Sequence, residues 1–160
     1  MKKTIKLLCA ILAATMLFAL LCACGSAANV PVDELVKKVD EATGKGDSLV
    51  AVDASYIKGY LKMDVENYEG YAVKINAYGA NIDEYGIFKA KDGNQLKDIK
   101  AAVEGYFQMR KDAWMDEYMP EEKPKLSSAE VKVAGNYVMY CILGDSDKTA
   151  AFNAFTEALK

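Results

Sequence analysis

The sequence predicts an α+β domain of two layers, in which a four-stranded antiparallel sheet carries helices on one face. Two observations lead to this class. Apolar and polar residues alternate along two pairs of segments, and each pair is joined by a short turn containing glycine and asparagine. Each pair is followed by an acidic helix start and a helix with one apolar side. The chain therefore contains two ββα units preceded by an N-terminal helix.

The predicted N-terminal helix begins near Pro31, because proline suits the first turn of a helix. Apolar residues then recur on one side until Gly44 and Gly46 end the segment. The next stretch, 48–64, is ambiguous. Residues 49–52 could form a short strand, and residues 55–60 could form a helical turn.

The first ββα unit is predicted from strands at 71–78 and 82–91, separated by a turn at 79–81. Asp92 then supplies a helix start. The helix that follows has the clearest periodicity in the chain, and its apolar side also contains the only arginine. This side comprises Leu96, Ile99, Val103, Phe107, Arg110, Trp114 and Tyr118. Pro120 and Pro124 place an exposed loop after it.

The second unit repeats this order. Strands are predicted at 130–133 and 137–143 across a turn at 134–136, and an acidic cap at 145–147 begins a final helix. The apolar side of that helix consists of Phe152, Phe155 and Leu159. The similarity of the two units suggests an ancient duplication, although any hairpin followed by a helix would give the same pattern.

The first 24 residues follow the pattern of a secretory signal peptide. A basic segment, 1–6, precedes an apolar run, 7–21, and the run ends in Leu21-Cys22-Ala23-Cys24 before small residues. This ending resembles a bacterial lipobox, and the resemblance implies cleavage before Cys24 and attachment of a diacylglyceryl group to it. The predicted organisation is a signal peptide at 1–23, a lipidated N-terminus and tether at 24–30, and a single domain at 31–160.

The alternative for this segment is an uncleaved transmembrane helix, since 7–24 is just long enough to span a bilayer. The absence of a basic cluster after Cys24 argues against it. With the lipid anchor, the protein would sit on the extracytoplasmic face of the cell membrane. The tether would reach roughly 20 Å when extended, which keeps the domain near the lipid surface.

Composition excludes several function classes. The chain contains no histidine, which removes the serine–histidine and cysteine–histidine catalytic pairs. Its formal net charge is −3, and loss of Lys2, Lys3 and Lys6 with the signal peptide would make it more acidic, so nucleic acid is a poor partner. No metal-binding or cofactor motif is present. After processing, Cys141 would be the only unmodified cysteine, so we expect no intramolecular disulfide.

Several segments, taken in order, resemble a family of bacterial lipoproteins that is common in clostridia and related Firmicutes, the domain-of-unknown-function family 4358. The resemblance covers the mature chain and rests on the lipobox with Cys24, residues 32–36, 81–90 and 118–122, Arg110, and the turn at 134–138. It implies a lipoprotein and no established activity. We therefore expect a non-enzymatic interaction or structural module. The alternative is a lipoprotein that binds a small ligand or peptide, such as an accessory to a transporter.

Arg110 is the candidate site residue, because it is an arginine on the apolar side of a helix. A guanidinium in that position needs a carboxylate partner. Asp83 and Glu84, at the start of the second predicted strand, are the natural candidates, and Glu84 shares a strand face with Phe88. Arg110 then either forms a structural ion pair between helix and sheet or holds an anionic ligand.

We predict that Cys24→Ala abolishes incorporation of labelled fatty acid and blocks maturation, because the modified thiol is lost. Metabolic labelling followed by electrophoresis measures both effects. Cys22→Ala is the matched control and should leave labelling unchanged. A wild-type protein that matures without label would contradict the assignment.

Overall fold

The structure is a computed structural model that describes residues 28–160. Cys24 and the predicted signal peptide lie outside the described residues. In the described part, the long helices are α1 (Val32–Thr43), α2 (Gly93–Asp112) and α3 (Asp145–Ala158). The strands are β1 (Leu49–Ala51), β2 (Gly70–Asn76), β3 (Glu84–Lys89), β4 (Glu130–Ala134) and β5 (Tyr137–Ile142).

The α+β class is confirmed, but the prediction of four strands was wrong. The strands form one antiparallel sheet in the order β1-β2-β3-β5-β4, with β1 as the fifth strand at an edge. The ambiguous stretch 48–64 contains both predicted structures. After β1, a short helix, Ala54–Tyr56, continues as a π-helical turn, Ile57–Leu61, and Lys62 ends it with a φ of 61°.

The prediction that helices cover one face of the sheet was also wrong. α2 and the π-helical turn pack on the face that carries Phe88, while α1 and α3 pack on the face that carries Tyr85 and Ile87. The central strands β3 and β5 are therefore covered on both sides, and the domain has three layers. Strands buried on both faces lose the polar alternation that would reveal a solvent-facing side.

Both ββα units are present, as β2–β3–α2 and β4–β5–α3, but they are not equivalent. Their inner strands, β3 and β5, are antiparallel neighbours. A two-fold axis relating such strands would leave both helices on the same face of the sheet. Since α2 and α3 lie on opposite faces, the structure gives no support for a symmetric duplication.

The long helix α2 ends at Asp112 rather than continuing to Tyr118. Its periodic apolar side therefore stops near Arg110. Trp114 still packs partly against the core, whereas the Tyr118 side chain is 59% exposed. The loop that follows contains one short helix, Lys123–Ser127, before β4 begins. Within residues 28–160, no helix is both long and apolar enough to cross a bilayer.

The domain has two distinct ends along the strand direction. At the first, which we call the tether end, the Ala28 amide donates to the Leu159 carbonyl at 3.1 Å. The Val30 amide donates to the Tyr137 hydroxyl at 2.9 Å, and that hydroxyl donates back to the Val30 carbonyl at 2.7 Å. The entering chain is thus fixed to the domain from Ala28 onward.

The opposite end, which we call the far end, is where β3 begins. Glu84 lies there, opposite Ile142 of β5 and Ile75 of β2. Lys89, at the other terminus of β3, lies opposite Tyr137 at the tether end. With a rise of about 3.4 Å per residue, the two ends of β3 are roughly 17 Å apart.

Candidate functional site

The most unusual group at the far end is the carboxylate of Glu84, whose residue is only 3% exposed. Its Oε2 accepts hydrogen bonds from the Tyr106 hydroxyl and from Arg110 Nη1, each at 3.0 Å. Its Oε1 accepts a hydrogen bond from the Tyr140 hydroxyl. Arg110 Nη1 also donates to the Tyr106 oxygen at 2.7 Å. Both carboxylate oxygens are therefore satisfied, as burial of a charge requires.

The sequence places these donors through simple spacing. Tyr106 and Arg110 are four residues apart on α2, so they lie one above the other on the same side of the helix. Tyr140 lies opposite Gly86 in the register between β5 and β3. A Cβ atom at Gly86 would lie 2.3 Å from the Tyr140 ring. The missing side chain thus lets the ring lie against β3 with its hydroxyl on Glu84.

Burial and the neighbouring charges set the ionisation of this cluster. The pKa of the Glu84 carboxyl is raised overall, because burial outweighs the Tyr140 hydrogen bond, the charge of Arg110 and the Tyr106 hydrogen bond, which all lower it. Burial and the Glu84 carboxylate raise the pKa of both Tyr106 and Tyr140. Both phenols are therefore hydrogen-bond donors at neutral pH. Burial disfavours the charge on Arg110, but Tyr106 and Glu84 outweigh it and the pKa of Arg110 is raised.

Arg110 also lines a small cavity at the far end, which we call the Arg110 cleft. The guanidinium carbon lies 5.9 Å from the centroid of the Tyr60 ring and 5.6 Å from that of Tyr106. The Tyr56 ring lies 5.3 Å from the Tyr60 ring. The cleft has a volume of 140 Å³, and its lining includes Tyr56, Tyr60, Ile75, Asn81, Glu84 and Arg110. Two aromatic rings and one cation thus form part of its wall, together with carboxylate, amide and aliphatic side chains.

The structure brings Arg110 and Glu84 together and leaves Asp83 outside their hydrogen-bonded cluster. Asp83 accepts from Lys45 at 2.7 Å on one oxygen and from Lys125 at 2.7 Å on the other. Lys45 also pairs with Asp147 at 3.0 Å, and Lys125 with Glu122 at 2.8 Å. This network joins the loop after α1 and the segment before β3 to the short helix Lys123–Ser127 and to the start of α3.

The two lysines determine the ionisation of Asp83. Burial alone would raise the pKa of the Asp83 carboxyl, but the hydrogen bonds from Lys125 and Lys45 lower it overall. Asp83 is therefore an ionised, fully paired carboxylate. The result favours a structural role for it.

Tyr106, Tyr140 and Gly86 were not identified from the sequence. The one available signal was the position of Tyr106 four residues before Arg110, on the same side of the helix.

Cys141 lies in the core of the opposite sheet face, and burial raises the pKa of its thiol. Among residues 28–160, no group of three or more metal-ligating acidic or cysteine side chains lies together.

These features define a small mixed α/β domain with a three-layer core and an aromatic-lined cleft beside a buried ion pair. The chain belongs to the family described as Domain of unknown function (DUF4358), whose sequence model matches residues 41–143. The expected membership of this domain-of-unknown-function family is thus confirmed, whereas the lipoprotein character stays a prediction. The matched range contains Glu84, Tyr106, Arg110 and Tyr140. Comparison with curated proteins and with solved structures gives no match.

We predict strong coupling between Arg110 and Glu84 in a double-mutant cycle. Arg110→Leu or Glu84→Leu alone should lower the free energy of unfolding by about 3–5 kcal/mol, because each leaves a buried partner unpaired. The double variant should recover much of that loss. Urea unfolding followed by circular dichroism measures all four proteins.

The matched control is Lys100→Leu with Glu104→Leu, an exposed pair with a 3.0 Å contact on the same helix. Its coupling should be only about 0.3–0.5 kcal/mol. Fully additive losses at Arg110 and Glu84 would refute a stabilising pair.

Proposed function

We propose that the protein is a lipid-anchored component of the cell envelope, held at the outer face of the cytoplasmic membrane through Cys24, and that its domain is a non-enzymatic interaction module. The observation that carries this proposal is the placement of the Arg110 cleft at the far end, opposite the residues that hold the incoming tether. A lipid anchor at one end would then present the cleft away from the membrane.

Because Ala28 is hydrogen-bonded to the domain, only a short segment can separate the domain from the lipid anchor. Only the three residues 25–27 lie between Cys24 and Ala28, the first residue bound to the domain. The four residue steps from Cys24 to Ala28 span about 14 Å when extended. Two acyl chains on one cysteine give stable anchoring. The tether end would then stay close to the lipid headgroups, and the acidic composition of the chain would oppose closer contact with anionic lipid.

Large apolar side chains near the end of α2 support a protein partner. Tyr60 is 44% exposed and its ring contacts the Arg110 guanidinium. Met109, which precedes Arg110 in the sequence, is 37% exposed. In the loop after α2, Met115 is 65% exposed and Tyr118 is 59%. Tyrosine, methionine and arginine are the residues that protein interfaces favour over the rest of the surface.

A second candidate is a lipoprotein that binds a small ligand or peptide, such as an accessory to a transporter. The cleft itself favours this candidate, since it combines rings, an amide and a guanidinium. Its 140 Å³ is well below the 300 Å³ or more that is typical for a whole small-molecule ligand. The cleft is therefore better suited to one end group of a larger partner.

Site-specific photocrosslinking in living cells tests the proposal. A photoreactive residue at Met109, at the far end, should capture a discrete envelope protein. The same residue at Lys91, which is exposed and follows β3 at the tether end, is the matched control and should not capture it. Cys24→Ala should lower capture at position 109, because the domain leaves the membrane surface. Equal capture from both positions, or none at 109, would contradict the proposal.

A further inference from the structure

We propose that the Arg110 cleft binds the C-terminal carboxylate of an extended peptide segment. This inference rests on the proposed function, because it identifies the part of an envelope partner that the far end would recognise. It is carried by the hydrogen-bonding groups that the cleft leaves free, by its size and by an adjoining apolar groove.

The guanidinium of Arg110 uses only part of its donor set. Its contacts to Glu84 and Tyr106 are both made by Nη1. Nε and Nη2 have no hydrogen-bond acceptor among residues 28–160, and the side chain, at 15% exposure, lines the cleft. The Nε and Nη2 hydrogens of an arginine form a planar fork that matches the two oxygens of a carboxylate.

Other groups in the cleft are also donors without a partner. The hydroxyls of Tyr56 and Tyr60 have no acceptor in the described part of the chain. The Asn81 Oδ1 accepts from the Asp83 amide at 3.0 Å, which leaves the Asn81 amide nitrogen for a ligand. These groups line one cavity with Arg110, so the ligand that fits them is rich in hydrogen-bond acceptors.

The carboxylate oxygens of the cleft already accept hydrogen bonds. Both oxygens of Glu84 receive hydrogen bonds, and each oxygen of Asp83 receives one lysine. A cationic ligand would therefore find no free carboxylate. A doubly charged phosphate would bring two negative charges to an arginine whose charge Glu84 already balances, which is unfavourable. A singly charged carboxylate with an apolar neighbour is the better match, since Ile75, Ile82 and the tyrosine rings form the remaining wall.

An apolar groove adjoins the cleft and can hold the residues that precede the carboxylate. The groove lies between the π-helical turn and α2, has a volume of 250 Å³, and is lined by Leu61, Lys62, Ala102, Gly105, Tyr106 and Met109. Tyr60 lines the cleft and Tyr106 lines the groove, and the centroids of their rings are 6.0 Å apart. A peptide that places its carboxylate on Arg110 would continue past Tyr60 into this groove, so an extended chain end fits better than an isolated small acid.

The single arginine makes a direct test possible. The full-length chain, purified in detergent micelles and labelled with ¹⁵N only at arginine, gives one Nε–H signal from Arg110. The probes are the peptide N-acetyl-Ala-Ala-Leu with a free carboxylate, the same peptide as its C-terminal amide, and acetate, each titrated to about 10 mM, a range that captures weak binding. The free-acid peptide should shift the signal saturably, the amide should not, and acetate should bind at least about tenfold more weakly.

Tyr60→Phe removes one proposed donor while it keeps the ring, and should weaken the peptide about fivefold, the usual worth of one hydrogen bond. Tyr71→Phe is the matched control on an exposed ring near the tether end and should bind as the wild type does. Equal shifts with acid and amide, or no shift with either, would overturn the inference. If acetate binds as tightly as the peptide, the cleft recognises any small carboxylate, and the inference of a peptide ligand is wrong.

The peptide titration and the crosslinking experiment can fail independently of each other. Crosslinking from position 109 without any response of Arg110 to the peptide would refute the inference alone. Peptide binding without any captured partner in cells would instead refute the interaction module and leave the carboxylate site standing.

Discussion

The burial of one carboxylate, that of Glu84, constrains how the rest of the domain packs. An unpaired buried charge costs several kcal/mol, so donors must be delivered to both oxygens. Arg110 and Tyr106 come from α2 and Tyr140 comes from β5. The rotation of α2 over the sheet is thereby fixed, and Gly86 must lack a side chain to admit the Tyr140 ring. The packing of α2 against β3 and β5, and the need for glycine at position 86, thus follow from the hydrogen bonds to Glu84.

The same arrangement produces the cleft. Glu84 and Tyr106 contact Arg110 through Nη1 alone, so the guanidinium is held from one side while its other donors stay free among residues 28–160. The π-helical turn brings Tyr60 against that guanidinium, which completes an aromatic wall. Structural and ligand-binding interpretations of Arg110 are therefore compatible. The ion pair positions the residue, and the unused edge is available for recognition at the end of the domain opposite the tether.

Periodicity predicted most of the elements, because α1, α2, α3 and the hairpin strands each have a strong apolar pattern. The fifth strand was left undecided in the sequence analysis and was not counted in the sheet, because Leu49–Ala51 is too short to carry a pattern. The third layer was missed because the apolar run of β3 does not show whether one face or both are covered. The pairing of Arg110 with Glu84 followed from charge burial, whereas the lysines on Asp83 lie 38 and 42 residues away and no local spacing indicated them.

The most direct test of this account is the rotation of the Arg110 guanidinium, measured by ¹⁵N spectroscopy of the full-length protein labelled at arginine. If Nη1 is held by Glu84 and Tyr106, rotation about the Nε–Cζ bond is hindered, and separate Nη1 and Nη2 signals should be resolved. Glu84→Gln should bring them together, because the ion pair is lost. A single averaged Nη signal in the wild-type protein, like that of a freely solvated arginine, would contradict the account.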